Sequence, residues 1–103
     1  GGEARSPVKL FGKLCGHTGT VRSLLWCNGQ LLTGGADGVI CRYQLETMGF
    51  RPASVTQAHG YSVMHMVWDD VAQQLVTLSD DSTIKTWSFA SEEAPPRKVQ
   101  GYV

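Results

Sequence analysis

The sequence predicts an all-β fold that consists of two consecutive four-stranded antiparallel sheets. Three observations lead to this prediction. One segment of the chain occurs twice in similar form, its apolar runs are short and rich in β-branched and aromatic residues, and helical periodicity is nowhere sustained. Runs of this length favour strands, because helices of ordinary length need longer periodic segments.

The repeat appears when residues 16–45 are aligned with residues 58–89. Matched residues lie 42 positions apart in the first half of the segment and 44 apart in the second half. The matched pairs are His17–His59, Val21–Val63, Trp26–Trp68, Leu31–Leu75, Thr33–Thr77, Asp37–Asp81, Ile40–Ile84 and Tyr43–Trp87. A period in the low forties is typical of one four-stranded blade of a β-propeller. The sequence therefore predicts two consecutive blades, blade 1 at residues 16–57 and blade 2 at residues 58–103.

Turn residues set the limits of the predicted strands. Asn28-Gly29 predicts a type I′ turn flanked by Trp26 and Gln30, and Asp37-Gly38 predicts a second turn. In blade 2 the polar stretch 80–82 takes the place of this second turn. The predicted strands are 20–26, 30–35, 39–45 and 54–57 in blade 1, and 62–68, 74–79, 83–89 and 97–101 in blade 2. The stretches 46–53 and 90–96 are predicted to be exposed loops.

A further strand is predicted at 8–14, in a leading segment (residues 1–15) that would complete the sheet of a preceding blade. Closed propellers have about four to eight blades, and two blades alone leave two apolar sheet faces in water. We therefore expect a ring completed by residues or chains not shown, with this chain as a segment of a longer protein. The alternatives are a ring completed by another chain or by copies of this one, and a freestanding two-blade unit.

Composition limits the classes of function. Nine basic and nine acidic residues balance one another, so no overall charge favours nucleic acid or an anionic membrane. No apolar run approaches the roughly 18 residues of a membrane span. The odd number of cysteines at unrelated spacings (Cys15, Cys27 and Cys41) favours reduced thiols over a disulfide framework. This pattern predicts a cytoplasmic or nuclear protein.

At these residues the sequence resembles the WD-repeat β-propeller family. In that family each blade holds a hydrogen-bonded tetrad: His before the first strand, Ser or Thr in the second, Asp in the turn and Trp in the third. The resemblance implies the structural tetrads His17, Thr33, Asp37 and Tyr43 in blade 1, and His59, Thr77, Asp81 and Trp87 in blade 2. The family's Trp-Asp pair is replaced by Tyr43-Gln44 and Trp87-Ser88, so both repeats are degenerate.

The histidines, together with the aspartates, are the candidates for a metal or catalytic site. The resemblance assigns His17 and His59 to the tetrads, and His65 lies within a predicted strand. Neither Cys-x-x-Cys nor His-Glu-x-x-His occurs, and no Lys-Ser or Lys-Thr follows the glycines at 34–38. We therefore predict no catalytic residue, no cofactor and no metal site.

A binding surface is the remaining expectation. In the resembling family, partners usually dock where the first strand of each blade begins. The resemblance implies partner contacts at Thr20, Arg22 and Ala36 in blade 1, and at Ser62, Met64 and Asp80 in blade 2. The predicted function is a non-catalytic protein-protein interaction scaffold within a larger assembly, whose partners are other proteins or further blades, without small-molecule substrate, membrane or nucleic acid.

Two alternatives stay open. One is an accessory or regulatory propeller attached to a catalytic domain outside this segment. The other is a reader of peptides or modified tails, which needs a central pocket ringed by side chains from several blades.

The tetrad leads to a test at Asp81. A buried carboxylate without partners is costly, so its histidine and the turn amides are expected to bond it. Replacement Asp81→Ala should therefore destabilise blade 2 and lower its temperature of thermal unfolding. An unchanged unfolding temperature would exclude this role for Asp81.

Overall fold

The computed structural model describes residues 16–47, 49–91 and 94–102. These ranges contain eight strands and no helix, so no helix within them could cross a membrane. The strands are β1 (Val21–Cys27), β2 (Gln30–Gly35), β3 (Val39–Glu46), β4 (Gly49–Gln57), β5 (Val63–Asp69), β6 (Gln74–Ser79), β7 (Ile84–Ser88) and β8 (Arg97–Tyr102). The strand predicted at 8–14 lies outside the described residues.

The strands form two antiparallel sheets in simple sequence order. Blade 1 has the order β1-β2-β3-β4, and blade 2 has the order β5-β6-β7-β8. This confirms the predicted all-β fold of two four-stranded antiparallel sheets. All six residues of the outermost strand of blade 2, β8, are exposed.

The first hairpin turn has the geometry that its sequence favours. Asn28 and Gly29 both have positive φ angles, 50° and 72°, as a type I′ turn requires. β1 continues to Cys27, which pairs with Gln30, so the turn is flanked by this pair and not by Trp26. The twist of a type I′ turn matches that of the strands it joins.

The loop predicted at 46–53 is much shorter, and this part of the prediction is wrong. β3 runs to Glu46 and β4 already begins at Gly49. Arg51 donates a hydrogen bond from Nε to Oε2 of Glu46 at 2.6 Å, across this short hairpin. Pro52 lies within β4, which is the outermost strand of blade 1, where a missing N–H is tolerated.

The apolar core lies between the two blades. β5 packs against β1 and β2, so the first strand of blade 2 covers one face of blade 1. The buried apolar cluster comes from both blades and consists of Leu32, Ile40, Ala58, Val63, Met66, Leu75 and Trp87. Because a sheet needs a second element against which to bury an apolar face, this shared core stabilises both blades.

The turn between β2 and β3 also bonds the segment that leads into blade 2. Gly38 has a φ of 78°, and a Cβ at this position would collide with the carbonyl oxygen of His59. The Gly38 carbonyl accepts hydrogen bonds from the N–H groups of Ala58 at 2.9 Å and His59 at 3.0 Å. The close approach of two backbones therefore explains why glycine stands here.

A buried arginine crosses the interface between the blades. Arg42 of β3 is 2% exposed, and its guanidinium lies 4.3 Å from the ring centroid of Phe89. Its Nε donates to Oε1 of Gln30, and its Nη1 donates to the carbonyl oxygen of Ala94. Arg42 thus joins β2 and β3 of blade 1 to the segment that follows β7 of blade 2.

Replacement Arg42→Ala should lower the free energy of unfolding by about 2–4 kcal/mol, because it leaves buried polar partners unsatisfied and removes a packed side chain. Denaturant unfolding would measure this loss. The matched control is Arg51→Ala, which removes an ion pair with Glu46 whose side chains are 41% and 51% exposed. Its loss should stay below about 1 kcal/mol. Equal losses for the two variants would contradict the bridging role of Arg42.

Candidate functional site

A hydrogen-bonded histidine joins the segment before β1 to β2 and to the turn that follows β2. His17, whose side chain is 2% exposed, lies 3.2 Å by Nδ1 from Oδ1 of Asp37. Its Nε2 lies 2.6 Å from Oγ1 of Thr33 in β2. Three of the four residues of the blade 1 tetrad therefore form one continuous chain of hydrogen bonds.

The carboxylate of Asp37 is well supplied with donors. Besides His17, Oδ2 accepts the N–H of Thr18 at 2.8 Å and Oδ1 accepts the N–H of Val39 at 3.1 Å. Burial acts to raise the pKa of Asp37, but these hydrogen bonds outweigh it and hold the pKa below its ordinary value of 3.8. Asp37 is therefore a carboxylate at neutral pH, and it ties the segment before β1 to the turn after β2.

Tyr43, which stands where the family has Trp, is fully buried. Its hydroxyl accepts a hydrogen bond from the N–H of Gly16 at 3.2 Å. Burial raises the pKa of Tyr43 to about 12, so the phenol stays neutral. The tyrosine thus anchors the start of the segment that carries His17.

In blade 2 the hydrogen bonds run in one direction from Trp87 to Asp81. The indole Nε1–H of Trp87 donates to Oγ1 of Thr77 at 2.9 Å, and that oxygen lies 2.8 Å from Nε2 of His59. His59 Nδ1 lies 3.1 Å from Oγ1 of Thr83, whose hydroxyl donates to Oδ1 of Asp81 at 2.6 Å. Because the Thr83 proton goes to the carboxylate, His59 donates from Nδ1, and in the neutral ring Nε2 is then the acceptor.

The direct bond expected between His59 and Asp81 is not formed. Asp81 is exposed, and it reaches His59 only through the hydroxyl of Thr83. The corresponding residue of blade 1 is Val39, which has no hydroxyl and gives its aspartate only a backbone N–H. The sequence signal for this indirect contact was the presence of Thr83 in blade 2 where blade 1 has Val39.

The environment of His59 favours its neutral form. The residue is 2% exposed, and burial lowers its pKa below the ordinary value of 6.5. The nearby ammonium of Lys85, which donates to the carbonyl oxygen of Ala58 at 2.7 Å, acts in the same direction, and Asp81 acts against it. A neutral ring agrees with the direction of hydrogen bonds derived above.

The six residues predicted to contact partners lie at equivalent places in the two blades. The Thr20 carbonyl accepts the N–H of Ala36 at 2.8 Å, and the Ser62 carbonyl accepts the N–H of Asp80 at 3.2 Å. Each bond joins the segment before the first strand to the turn after the second strand. The structure therefore brings Thr20 beside Ala36, and Ser62 beside Asp80.

Arg22 and Met64 occupy irregular positions in their strands. Val21 pairs with Gly35 and Ser23 with Gly34, so Arg22 is an extra residue at a β-bulge. Met64 has the same position between Val63 and His65. Bulges redirect side chains and are frequent next to functional sites. Sequence reasoning placed both residues on strands but did not detect the bulges, because no particular residue type marks them.

The candidate face contains further exposed groups. Arg22, Thr20 and Asp80 are exposed, whereas Ala36, Ser62 and Met64 are partly buried. Tyr61, next to Ser62, is 64% exposed, and sequence reasoning did not single it out. An exposed aromatic residue beside predicted contact positions was the available signal.

Among the described residues, no group of three or more His, Cys, Asp or Glu side chains could hold a metal ion. Cys27 and Cys41 are free thiols, and burial raises the pKa of both. Neither is therefore activated as a thiolate nucleophile.

Comparison with known proteins agrees with the repeat. Residues 8–44 and 50–88 match the family described as WD domain, G-beta repeat. The chain belongs to the WD-repeat family. WD repeats generally mediate protein-protein interactions and are generally non-catalytic. A solved structure, the computationally designed Ika4 protein, resembles this WD-repeat chain with a TM-score of 0.68 at 19% identity. The match covers 88% of this chain and 52% of the Ika4 chain, so this chain spans about half the length of that protein, and the likeness concerns the fold alone.

The two aspartates should differ in their effect on stability. Replacement Asp37→Ala should lower the free energy of unfolding by about 1–3 kcal/mol, because it leaves the N–H donors of Thr18 and Val39 and the ring of His17 without their acceptor. Asp81→Ala should cost less, because that carboxylate is exposed and water can replace it. Thermal or denaturant unfolding of both variants tests this order. A larger loss in Asp81→Ala would contradict it.

Stability should also depend on pH through His59. The folded state holds this ring neutral, whereas in the unfolded chain it takes up a proton near the ordinary pKa of 6.5. The stabilisation that His59 provides is therefore complete above that pH and decreases as the pH falls through it. Below the pKa of His59 in the folded state, stability no longer changes through this residue. Denaturant unfolding between about pH 8 and pH 5 measures this slope.

Replacement His59→Gln should reduce the slope, whatever its effect on stability at neutral pH. An unchanged slope in this variant would exclude His59 as the titrating group.

Proposed function

We propose that this chain is a non-catalytic protein-interaction scaffold within a larger multi-protein assembly. Its membership of the WD-repeat family supports this function. The observation that carries the proposal is the repetition of one arrangement in both blades: a segment before the first strand bonded to the turn after the second, next to a bulge that bears Arg22 or Met64.

The hydrogen bonds of the histidines supply the rigidity that a scaffold needs. Asp37 is adjacent in sequence to Ala36, and it bonds both His17 and the N–H of Thr18, two residues before Thr20. The bonds that hold the sheet together therefore also fix the backbone that presents Thr20 and Ala36. Little conformational entropy is lost when such a preformed surface binds a partner.

The charges of the face suggest the chemistry of the partner. Arg22 offers a forked guanidinium donor to a carboxylate or a phosphate. On blade 2, Asp80 and Asp81 are exposed carboxylates, and Tyr61 and Met64 offer apolar contact area nearby in sequence. We propose a protein partner that presents an acidic group to blade 1 and a basic group to blade 2.

The free thiols bear on localisation. Cys27 and Cys41 are unbridged, as is typical of proteins in reducing compartments. We propose that the chain functions in the cytoplasm or the nucleus.

Affinity capture with this chain as bait would test the function. The double variant Arg22→Ala/Asp80→Ala should bind the captured partner roughly tenfold more weakly or worse, a change of about 1.4 kcal/mol, with an unchanged unfolding temperature. Binding of the purified partner would be measured by calorimetry.

A matched control is Arg97→Ala/Asp70→Ala, which removes the same two charge types from exposed positions outside the face. This control should bind like the original chain. An unaffected Arg22/Asp80 double variant would exclude the face as the binding surface.

A further inference from the structure

The outward face of blade 2 carries an apolar depression that no other residue in the described part of the chain covers. It has a volume of about 190 Å³ and is lined by His65, Val67, Val76, Leu78 and Ile84. Val67 is 57% exposed and Ile84 is 38% exposed. We call this surface the open face. Exposed apolar surface of this kind usually marks a place where another protein surface packs.

Alignment of the two repeats shows what covers the equivalent surface of blade 1. At the spacings of 42 and 44, the five lining residues correspond one by one to Ser23, Leu25, Leu32, Gly34 and Ile40. In blade 1, β5 of blade 2 packs against β1 and β2, which hold four of these positions. Leu32 and Ile40 are 1% and 0% exposed and belong to the buried cluster that also contains Val63 and Met66 of β5. The surface that is covered by the next sheet in blade 1 is therefore the surface that is uncovered in blade 2.

Contact with the covering strand depends on a close approach at Gly34. A Cβ on this residue would lie 2.6 Å from Cγ1 of Val63 and 2.5 Å from Oγ of Ser23. Ser23 donates from Oγ to the carbonyl oxygen of Val63 at 3.1 Å, which fixes the strand at this distance. The position thus accepts Val63 opposite it only because it has no side chain.

Both residues that permit this approach are replaced by larger ones on the open face. Leu78 stands where blade 1 has Gly34, and His65 stands where blade 1 has Ser23. A covering strand with valine at the equivalent of Val63 would therefore collide with Leu78. Overpacking of this kind is destabilising, so the covering strand needs a smaller side chain at that point.

We infer that the open face binds a further WD-type sheet whose first strand carries glycine or alanine where β5 carries Val63, and that Leu78 selects for it. This inference concerns a different surface from the one in the proposed function. A strand of that kind leaves room for Leu78, and the other residues of the covering sheet bury Val67, Val76 and Ile84.

The same collision would hinder self-association of this chain. A second copy would present β1 to the open face, with Val21 in the place of Val63 and Leu24 in the place of Met66. Val21 is 43% exposed and Leu24 is 65% exposed, so both are accessible for such a contact. Leu78 opposite Val21 should then keep the unaltered chain from stacking head to tail.

This makes the chain itself a usable probe. Replacement Val21→Ala shortens the side chain opposite Leu78, and Leu78→Gly restores the residue that blade 1 has. Each single variant should self-associate at least tenfold more tightly than the unaltered chain in sedimentation equilibrium. The double variant should gain no more than either single variant, because both changes relieve the same collision.

Val71→Ala is the matched control for Val21→Ala, because Val71 is 97% exposed in the turn between β5 and β6 and lies away from the open face. It should behave like the unaltered chain. Circular dichroism would show that each variant is folded, and Val21→Ala carries the test if Leu78→Gly unfolds.

Three results would overturn the inference. In the first, the unaltered chain associates as tightly as Val21→Ala, which would make a second copy the natural occupant. In the second, a folded Val21→Ala variant does not self-associate. In the third, the two replacements add independently. Partner capture through Arg22 and Asp80 is measured in a separate assay. The proposed partner-binding face and the open face can therefore fail independently of each other.

Discussion

A buried, hydrogen-bonded histidine in each blade is the constraint on which the rest of the structure depends. His17 and His59 each join the segment that enters a blade to its second strand, through Thr33 and Thr77. Without these bonds the entry segments would be ordinary surface loops, free to move relative to the sheet. The histidine bonds therefore convert a stack of strands into a support that fixes the position of loops.

Most of the fold could be predicted from the sequence, because strand alternation and turn dipeptides are local signals. Asn28-Gly29 marks its hairpin by the positive φ angles it tolerates. The beginning of β4 could not be predicted, since Gly49 and Pro52 are residues typical of loops. Pairing with β3 forms this strand, and pairing between strands is a tertiary contact that propensity does not record.

The sequence located the histidines and aspartates of the two turns but not the hydrogen bonds they make. Matching the two copies located the histidines and the turn aspartates, since their spacing is the same in both. The contacts differ where the copies differ: Thr83 inserts a hydroxyl between His59 and Asp81, whereas Val39 cannot. Packing across the interface, including the burial of Arg42, depends on residues far apart in sequence and gave no local signal.

The outermost strands of the two sheets have a consequence for aggregation. Within the part of the chain that the structure describes, β8 presents an unpaired backbone edge, and such edges invite edge-to-edge pairing and aggregation. Arg97 and Lys98 put two positive charges at the start of this edge, where like charges on a second molecule repel. On the other outermost strand, Pro52 interrupts the row of N–H donors. The two blades thus carry different safeguards against fibrous assembly: charge on one edge and a missing hydrogen-bond donor on the other.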